Sequence, residues 1–130
     1  MRFDNHTDTK PVVALNSTAI ANNNPVNGNI IDTQGYGSLE FLLMSAARTD
    51  GTFTPVIRHG DAADLSDAVD AADDELLGLE SGAALNAANG VKNIGYRGNK
   101  RYVRLSVAPS GVTSGGTVSA VAILGRAHVI

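Results

Sequence analysis

The clearest pattern in the chain is "SLEFLLMSA", Ser38 to Ala46. Leu39, Phe41 and Leu43 fall on one face of an extended strand, and Glu40, Leu42 and Met44 fall on the other. Both faces are largely apolar, which predicts a strand covered on both sides. "RYVRLSVAP", Arg101 to Pro109, alternates cleanly: Val103, Leu105 and Val107 inward, Tyr102, Arg104 and Ser106 outward. "TFTPVIRH" predicts a strand returning from an Asp50-Gly51 hairpin turn, with Pro55 marking an edge or a bulge. "PVVALNSTAI" and "LNAANGVKNIGY" read as extended. "ANNNPVNGN" is a turn cluster with Asn27-Gly28 as a two-residue turn. "DTQGYGS" is a glycine-punctuated corner, "RGNK" a further turn, and "SGVTSGG" a flexible loop before a closing apolar strand, "TVSAVAILGRAHVI". Seven or eight strands with a turn about every ten residues predict an antiparallel sandwich or barrel. Leu39, Phe41, Leu43, Val103, Leu105, Val107 and Ile123 are its expected core.

One segment breaks the strand pattern. "HGDAADLSDAVDAADDELLG", His59 to Gly78, carries Asp61, Asp64, Asp67, Asp70 and Asp73 at every third position, followed by Asp74 and Glu75. Leu65, Val69, Ala72 and Leu76 share one narrow face at helical spacing. This predicts at most a short helical connector near residues 62–72, with its leucines inward and its carboxylates outward. Aspartate is a poor interior helix former, and Asp70 and Asp74 repel at i,i+4, so one or two turns are expected.

With 130 residues the chain reads as one domain, a β-sandwich over 11–130 preceded by a polar arm over 1–10. Only 5% of it is aromatic, and tryptophan is absent, so the core is aliphatic. The chain has no cysteine, which rules out thiolate catalysis and disulfides and favours a reducing compartment. "MRFDNHTDTK" lacks the apolar region of a signal peptide, and no apolar run approaches membrane-spanning length. The net charge of −3 gives no general attraction to nucleic acid. Its distribution is uneven. Residues 59–80 carry eight acids and no base; residues 81–130 carry Lys92, Arg97, Lys100, Arg101, Arg104 and Arg126 and no acid.

Specific chemistry is hard to find. Counted from Asp61, the positions an EF-hand needs hold Ala63, Leu65 and Ser66, so the three-residue period is wrong for calcium. His6, His59 and His128 are scattered and read as surface or loop histidines. "GYGSLE" lacks the third glycine and the helix of a dinucleotide fingerprint. "SGVTSGG" lacks the lysine of a phosphate loop, and no nucleophile elbow is present. "GYRGNKRYVR" reads as a basic hairpin on the sheet surface, carrying Tyr96 and Tyr102 with Arg97, Lys100, Arg101 and Arg104. No catalytic residue, metal ligand or cofactor follows from these patterns. The candidate contact residues are Asp61, Asp64, Asp67, Asp70 and Asp73 with Arg97, Lys100, Arg101 and Arg104.

"IIDTQGYGSLEFLL", "TDGTFTPVIRHGD", "DLSDAVDAADDELLG" and "IGYRGNKRYVRLSV", in that order, resemble the cement or decoration proteins of tailed-bacteriophage heads, in particular the jelly-roll cement proteins of Bordetella-type podoviruses. The likeness runs from about Ile30 to Ile130. It implies a jelly-roll sandwich with a structural, non-enzymatic role on the outer surface of the virion. There such proteins clamp neighbouring copies of a major capsid protein of the phage-capsid fold and self-associate, typically as homodimers. Extended strand edges are the expected contact surfaces. Neither nucleic acid nor membrane is an expected partner. Two alternatives remain open: a head-tail joining or tail protein, and a carbohydrate-binding jelly roll.

Overall fold

The computed structural model describes residues 6–127. Nine strands form there: β1 (Thr9–Ile20), β2 (Val26–Asp32), β3 (Tyr36–Arg48), β4 (Thr52–Gly60), β5 (Val69–Asp70), β6 (Leu76–Leu77), β7 (Val91–Tyr96), β8 (Tyr102–Ser110) and β9 (Gly116–Ala127). Two single 3₁₀ turns lie at Asp73–Glu75 and Ser81–Ala83. One sheet has the order β1-β9-β3-β7-β6 and the other β2-β8-β4-β5. All pairings are antiparallel, and they nest: β1 with β9, β2 with β8, β3 with β7, β4 with β5. This is one long hairpin rolled up, with β9–β3 and β8–β4 joining successive turns of the roll. The result is the jelly-roll form of the sandwich. Of the predicted arm, residues 1–5 lie outside the described residues, and Thr9 and Lys10 already belong to β1.

The core follows the alternation read from β3 and β8. Phe41, Val103 and Leu105 are fully buried, with Leu39, Leu43 and Val107 beside them. Ile123 is the exception. It sits half-buried on the outer side of its sheet, opposite Glu40 and Pro11, while Val118, Ala120, Ala122 and Leu124 face the core. The stretch from Val118 to Leu124 is apolar at most positions of either parity, so hydrophobicity alone does not fix its face. Register does: Ala122 lies opposite Phe41 and Ala120 opposite Leu43, where a small residue fits against a large one.

Four turns also differ from expectation. Asn27 and Gly28 lie inside β2, and the chain reverses at Asn22–Pro25, where the Asn22 side chain accepts the Asn24 N–H at 3.0 Å. Gly28 is required there because a β-carbon would collide with the carbonyl oxygens of Leu105 and Ala14. The Asp50-Gly51 turn carries the chain from one sheet to the other instead of closing a hairpin within a sheet, and the 97–101 turn between β7 and β8 does the same. The 111–115 loop is tied down. The Asp50 carboxylate accepts the backbone N–H groups of Thr113, Ser114 and Gly115, at 2.9, 3.1 and 2.8 Å to Oδ1.

The acidic connector contains no helix over 62–72. Leu65 and Leu76 are buried as expected, but Val69 and Ala72 are exposed. Asp64 takes a backbone donor that a helix would use, and Asp67 holds the chain back on the start of the segment. Asp64 accepts the Ser66 N–H at 3.0 Å, and Asp67 accepts those of Asp61 and Ala62 at 3.0 and 3.2 Å. Leu65 adopts φ 55°, outside the helical region.

Sheet edges are closed with care. β1 carries Pro11 and two register shifts, β2 has one shift, and β5 and β6 are two residues long. Much of the long flank of β4 is closed as well. Phe53 exchanges both backbone bonds with Leu85 at 2.8 Å, Pro55 has no N–H, and Ile57 donates to Glu80 Oε2 at 2.7 Å while accepting from Ala71 at 2.9 Å.

Phe41→Ala is expected to cost about 3–5 kcal/mol in denaturant unfolding, the range for a fully packed Phe. Burial raises the Glu80 carboxyl above its usual value, an effect the Ile57 N–H partly offsets. The folded state therefore holds that proton more tightly, and stability falls as pH rises through the raised value. Glu80→Gln keeps an acceptor without the charge and should match or exceed the wild-type melting temperature at neutral pH, with the gain vanishing under strongly acidic conditions. Glu80→Ala, which orphans the Ile57 N–H, should lose about 1–3 kcal/mol.

Candidate interaction surface

The roll brings distant segments to one end of the sandwich. There β2, β4 and β7 finish at Asp32, Gly60 and Tyr96, while β3 and β8 begin at Tyr36 and Tyr102. The 33–35 corner, the acidic connector and the basic 97–101 turn meet at that end, so the two oppositely charged segments are neighbours.

Several of the candidate charges are engaged within the chain. Lys100 Nζ contacts Asp61 Oδ2 at 3.0 Å, and Arg58 Nε contacts Asp70 Oδ1 at 3.0 Å. Arg101 grips Asp32 with two parallel bonds of 2.9 Å, an aligned pairing of guanidinium and carboxylate, and its guanidinium also lies 4.9 Å from the Tyr102 ring centre. The Arg101 bond holds Asp32 below the usual carboxylate range, and Asp61 in turn holds Lys100 above its ordinary value. Backbone N–H groups lower Asp67 (from Asp61 and Ala62) and Asp64 (from Ser66). Asp67 also packs on Gly60, where any side chain would strike its carboxylate.

A buried polar cluster lies beneath these pairs. His59 is 4% exposed, contrary to the expectation of a surface histidine, and its Nδ1 lies 2.6 Å from the Tyr96 hydroxyl. The hydroxyl also accepts the Lys100 N–H at 3.1 Å. The other ring nitrogen faces Glu75 at 3.8 Å. Burial raises the Tyr96 hydroxyl, which stays protonated. The signal for His59 was present in "TFTPVIRH", since it shares the inward parity of Phe53, Pro55 and Ile57. His6 is exposed, and His128 lies outside the described residues.

The rest of the candidates point outward or stand alone. Asp73 and Asp74 are exposed, with no side-chain hydrogen bond or ion pair among the described residues. Arg97 is exposed and lines an open cleft of about 530 Å³ with Tyr36, Ser38, Glu40 and Tyr96. Arg104 lies opposite Arg58, and its buried Nε has no hydrogen-bond partner. Among the described residues no three metal-ligating side chains converge, and no helix is long and apolar enough to cross a membrane.

No protein-family model matches the chain, and no curated protein does. Among solved structures, the crystal structure of the SPBc2 prophage-derived protein YomS is similar. It has 14% sequence identity and a TM-score of 0.55, and the match covers 92% of this chain and 94% of that one. At that identity the likeness is one of fold, carried over nearly the whole length of both chains.

Asp32, Asp64 and Asp67 ionise more readily in the folded protein than in the unfolded chain. Their contribution is present above the ordinary carboxylate range and lost as pH falls through the lowered values. Asp32→Asn and Asp67→Asn should each lower the melting temperature by a few degrees at neutral pH. The deficit should shrink towards zero in thermal melts under strongly acidic conditions, where the wild-type carboxylates are protonated as well.

Proposed function

We propose that this chain is a structural virion protein that binds the outer surface of an assembled phage capsid shell and cements neighbouring major capsid subunits. The observation that carries this reading is the jelly-roll sandwich, a fold similar over most of its length to that of a prophage-derived protein. The order of segments that resembles phage-head cement proteins adds to it. The charged end of the sandwich supplies a suitable contact: Asp73, Asp74 and Arg97 project without side-chain partners among the described residues and meet complementary charges on the shell. Each exposed pair contributes about 0–1 kcal/mol, and repetition over many copies makes the sum effective.

A second reading rests on the cleft beside Tyr36. An aromatic ring with Arg97, Glu40 and Ser38 around it has the composition of a sugar subsite, and a glycan array separates this reading from shell binding.

The test is co-sedimentation of the purified chain with heads assembled from the capsid protein of the same genome, followed by low-resolution imaging. Occupancy is expected to fall as salt rises beyond about 0.15 M, where the screening length is about 8 Å. The Asp73→Asn, Asp74→Asn, Arg97→Gln variant should bind several-fold more weakly without a change in melting temperature, and micromolar calcium should have no saturable effect. No occupancy of the shell by the wild type would overturn the reading. A variant that decorates as well at every salt concentration would remove the charged end from it.

A further inference from the structure

The cleft beside Tyr36 holds polar groups that the fold leaves without partners. β3 begins at Tyr36, but its pairing with β7 starts only at Leu39, opposite Tyr96. Beyond Tyr96 the chain leaves β3, and the Arg97 N–H goes to the Glu75 carbonyl at 2.7 Å, on the side of β6. Peptide groups alternate in direction along a strand. Ser45 sends its N–H to Gly90, on the β7 side, so Gly37, at the same parity, turns its N–H and C=O that way too. No strand pairs with them there, and the exposed Gly37 lines the cleft. Two side chains of opposite charge border the same space. Arg97 has no ion-pair partner among the described residues. Glu40 Oε2 accepts from the Asn93 amide at 2.8 Å, which leaves Oε1 as an acceptor. That oxygen fills the space left by Gly95, where a β-carbon would come within 2.6 Å of it.

We propose that this cleft binds a pyranose with a ring carboxylate, a uronic acid, holding the carboxylate on Arg97 and the hydroxyls on Glu40 and the Gly37 peptide groups. The proposal rests on the sugar reading of the cleft and names the class of sugar. At about 530 Å³ the cleft lies within the roughly 300–1,000 Å³ of small-ligand sites. Its unpaired groups are both donors and acceptors, and a hydroxyl is both at once. The charges decide the rest. A simple anion would satisfy Arg97 but meet the Glu40 carboxylate. A neutral sugar would satisfy Glu40 and Gly37 but leave the guanidinium without a counter-charge. A uronic acid carries its carboxylate at C6 and its C2 and C3 hydroxyls across the ring, so it serves both walls, and the planar guanidinium suits a carboxylate bidentately. The walls are fixed in advance. The Tyr36 N–H is held by the Thr33 carbonyl at 3.0 Å, and the Tyr96 hydroxyl by His59 and the Lys100 N–H, so little ordering entropy is lost on binding. Arg97 cannot serve a sugar and the shell at once, so the two ligands exclude each other at this end.

Amide NMR titration of the full chain compares methyl β-D-glucuronide with methyl β-D-glucoside, which differ only at C6. The glucuronide should bind about ten-fold more tightly, the effect of one charge-assisted pairing, and should move the Gly37, Gly95 and Gly98 signals. Arg97→Gln should bring the two ligands level, and Glu40→Gln should weaken both several-fold. Lys92→Gln removes the same charge at an exposed position outside the cleft and should bind as the wild type does. Sodium acetate should leave the Gly37 signal in place. Equal affinity for the two sugars would overturn the inference and leave the sugar reading standing. Binding of neither sugar, or shifts away from these glycines, would overturn both. Gly37 shifts with acetate as large as those with the glucuronide would reduce the cleft to an anion site and overturn the inference as well.

Discussion

The structure depends on the placement of β9 between β1 and β3. The last strand of the chain is an interior strand of the larger sheet, and it pairs along nearly its whole length on both sides. Its inward alanines accept Phe41 and Leu43, so the large residues of β3 are close-packed only once β9 is in place. β1 has no other strand partner in its sheet. Pairing between strands so far apart in sequence is also slow to nucleate, because loop-closure entropy is lost before the contacts that offset it can form.

The strand alternation of β8 was legible because one of its parities is plainly core; β3 is apolar on both faces, and the cover expected on both sides is present only over Leu39, Phe41 and Leu43, while Met44 is exposed. β9 was not legible, since both its parities are mostly apolar and only the neighbouring register distinguishes Ala122 from Ile123. The connector misled for a different reason. Leu65 and Leu76 are buried as their spacing suggested, but Asp64 diverts the Ser66 N–H that a helix needs and Leu65 takes φ 55°, effects that a hydrophobic wheel does not weigh. Whether Lys100 meets Asp61 or a foreign carboxylate depends on which turns share an end of the roll, a property of topology that no local pattern carries. His59 was readable from its parity and was obscured by the habit of assigning isolated histidines to the surface.

The charges divide into two sets with different work. Asp61, Asp70, Lys100, Arg101 and Asp32 fasten the turns at one end, with the His59–Tyr96 pair beneath them. Asp73, Asp74 and Arg97 are left facing out on that fastened base, so a partner would meet groups whose backbone is already fixed and would lose little ordering entropy on contact.

The Asp50-Gly51 turn has a bearing on chemical ageing. Aspartyl-glycine pairs are weak points in long-lived chains, because the unhindered glycine nitrogen can attack the side-chain carboxyl and form a succinimide that reopens to isoaspartate. Here the carboxylate is engaged by three backbone N–H groups, and those bonds hold it ionised, the form that resists attack. The same bonds fix the Asp50 side chain, so the carboxyl would have to leave three N–H groups before turning to the Gly51 nitrogen. A residue pair that would ordinarily date the protein is thus kept in a conformation that slows its decay.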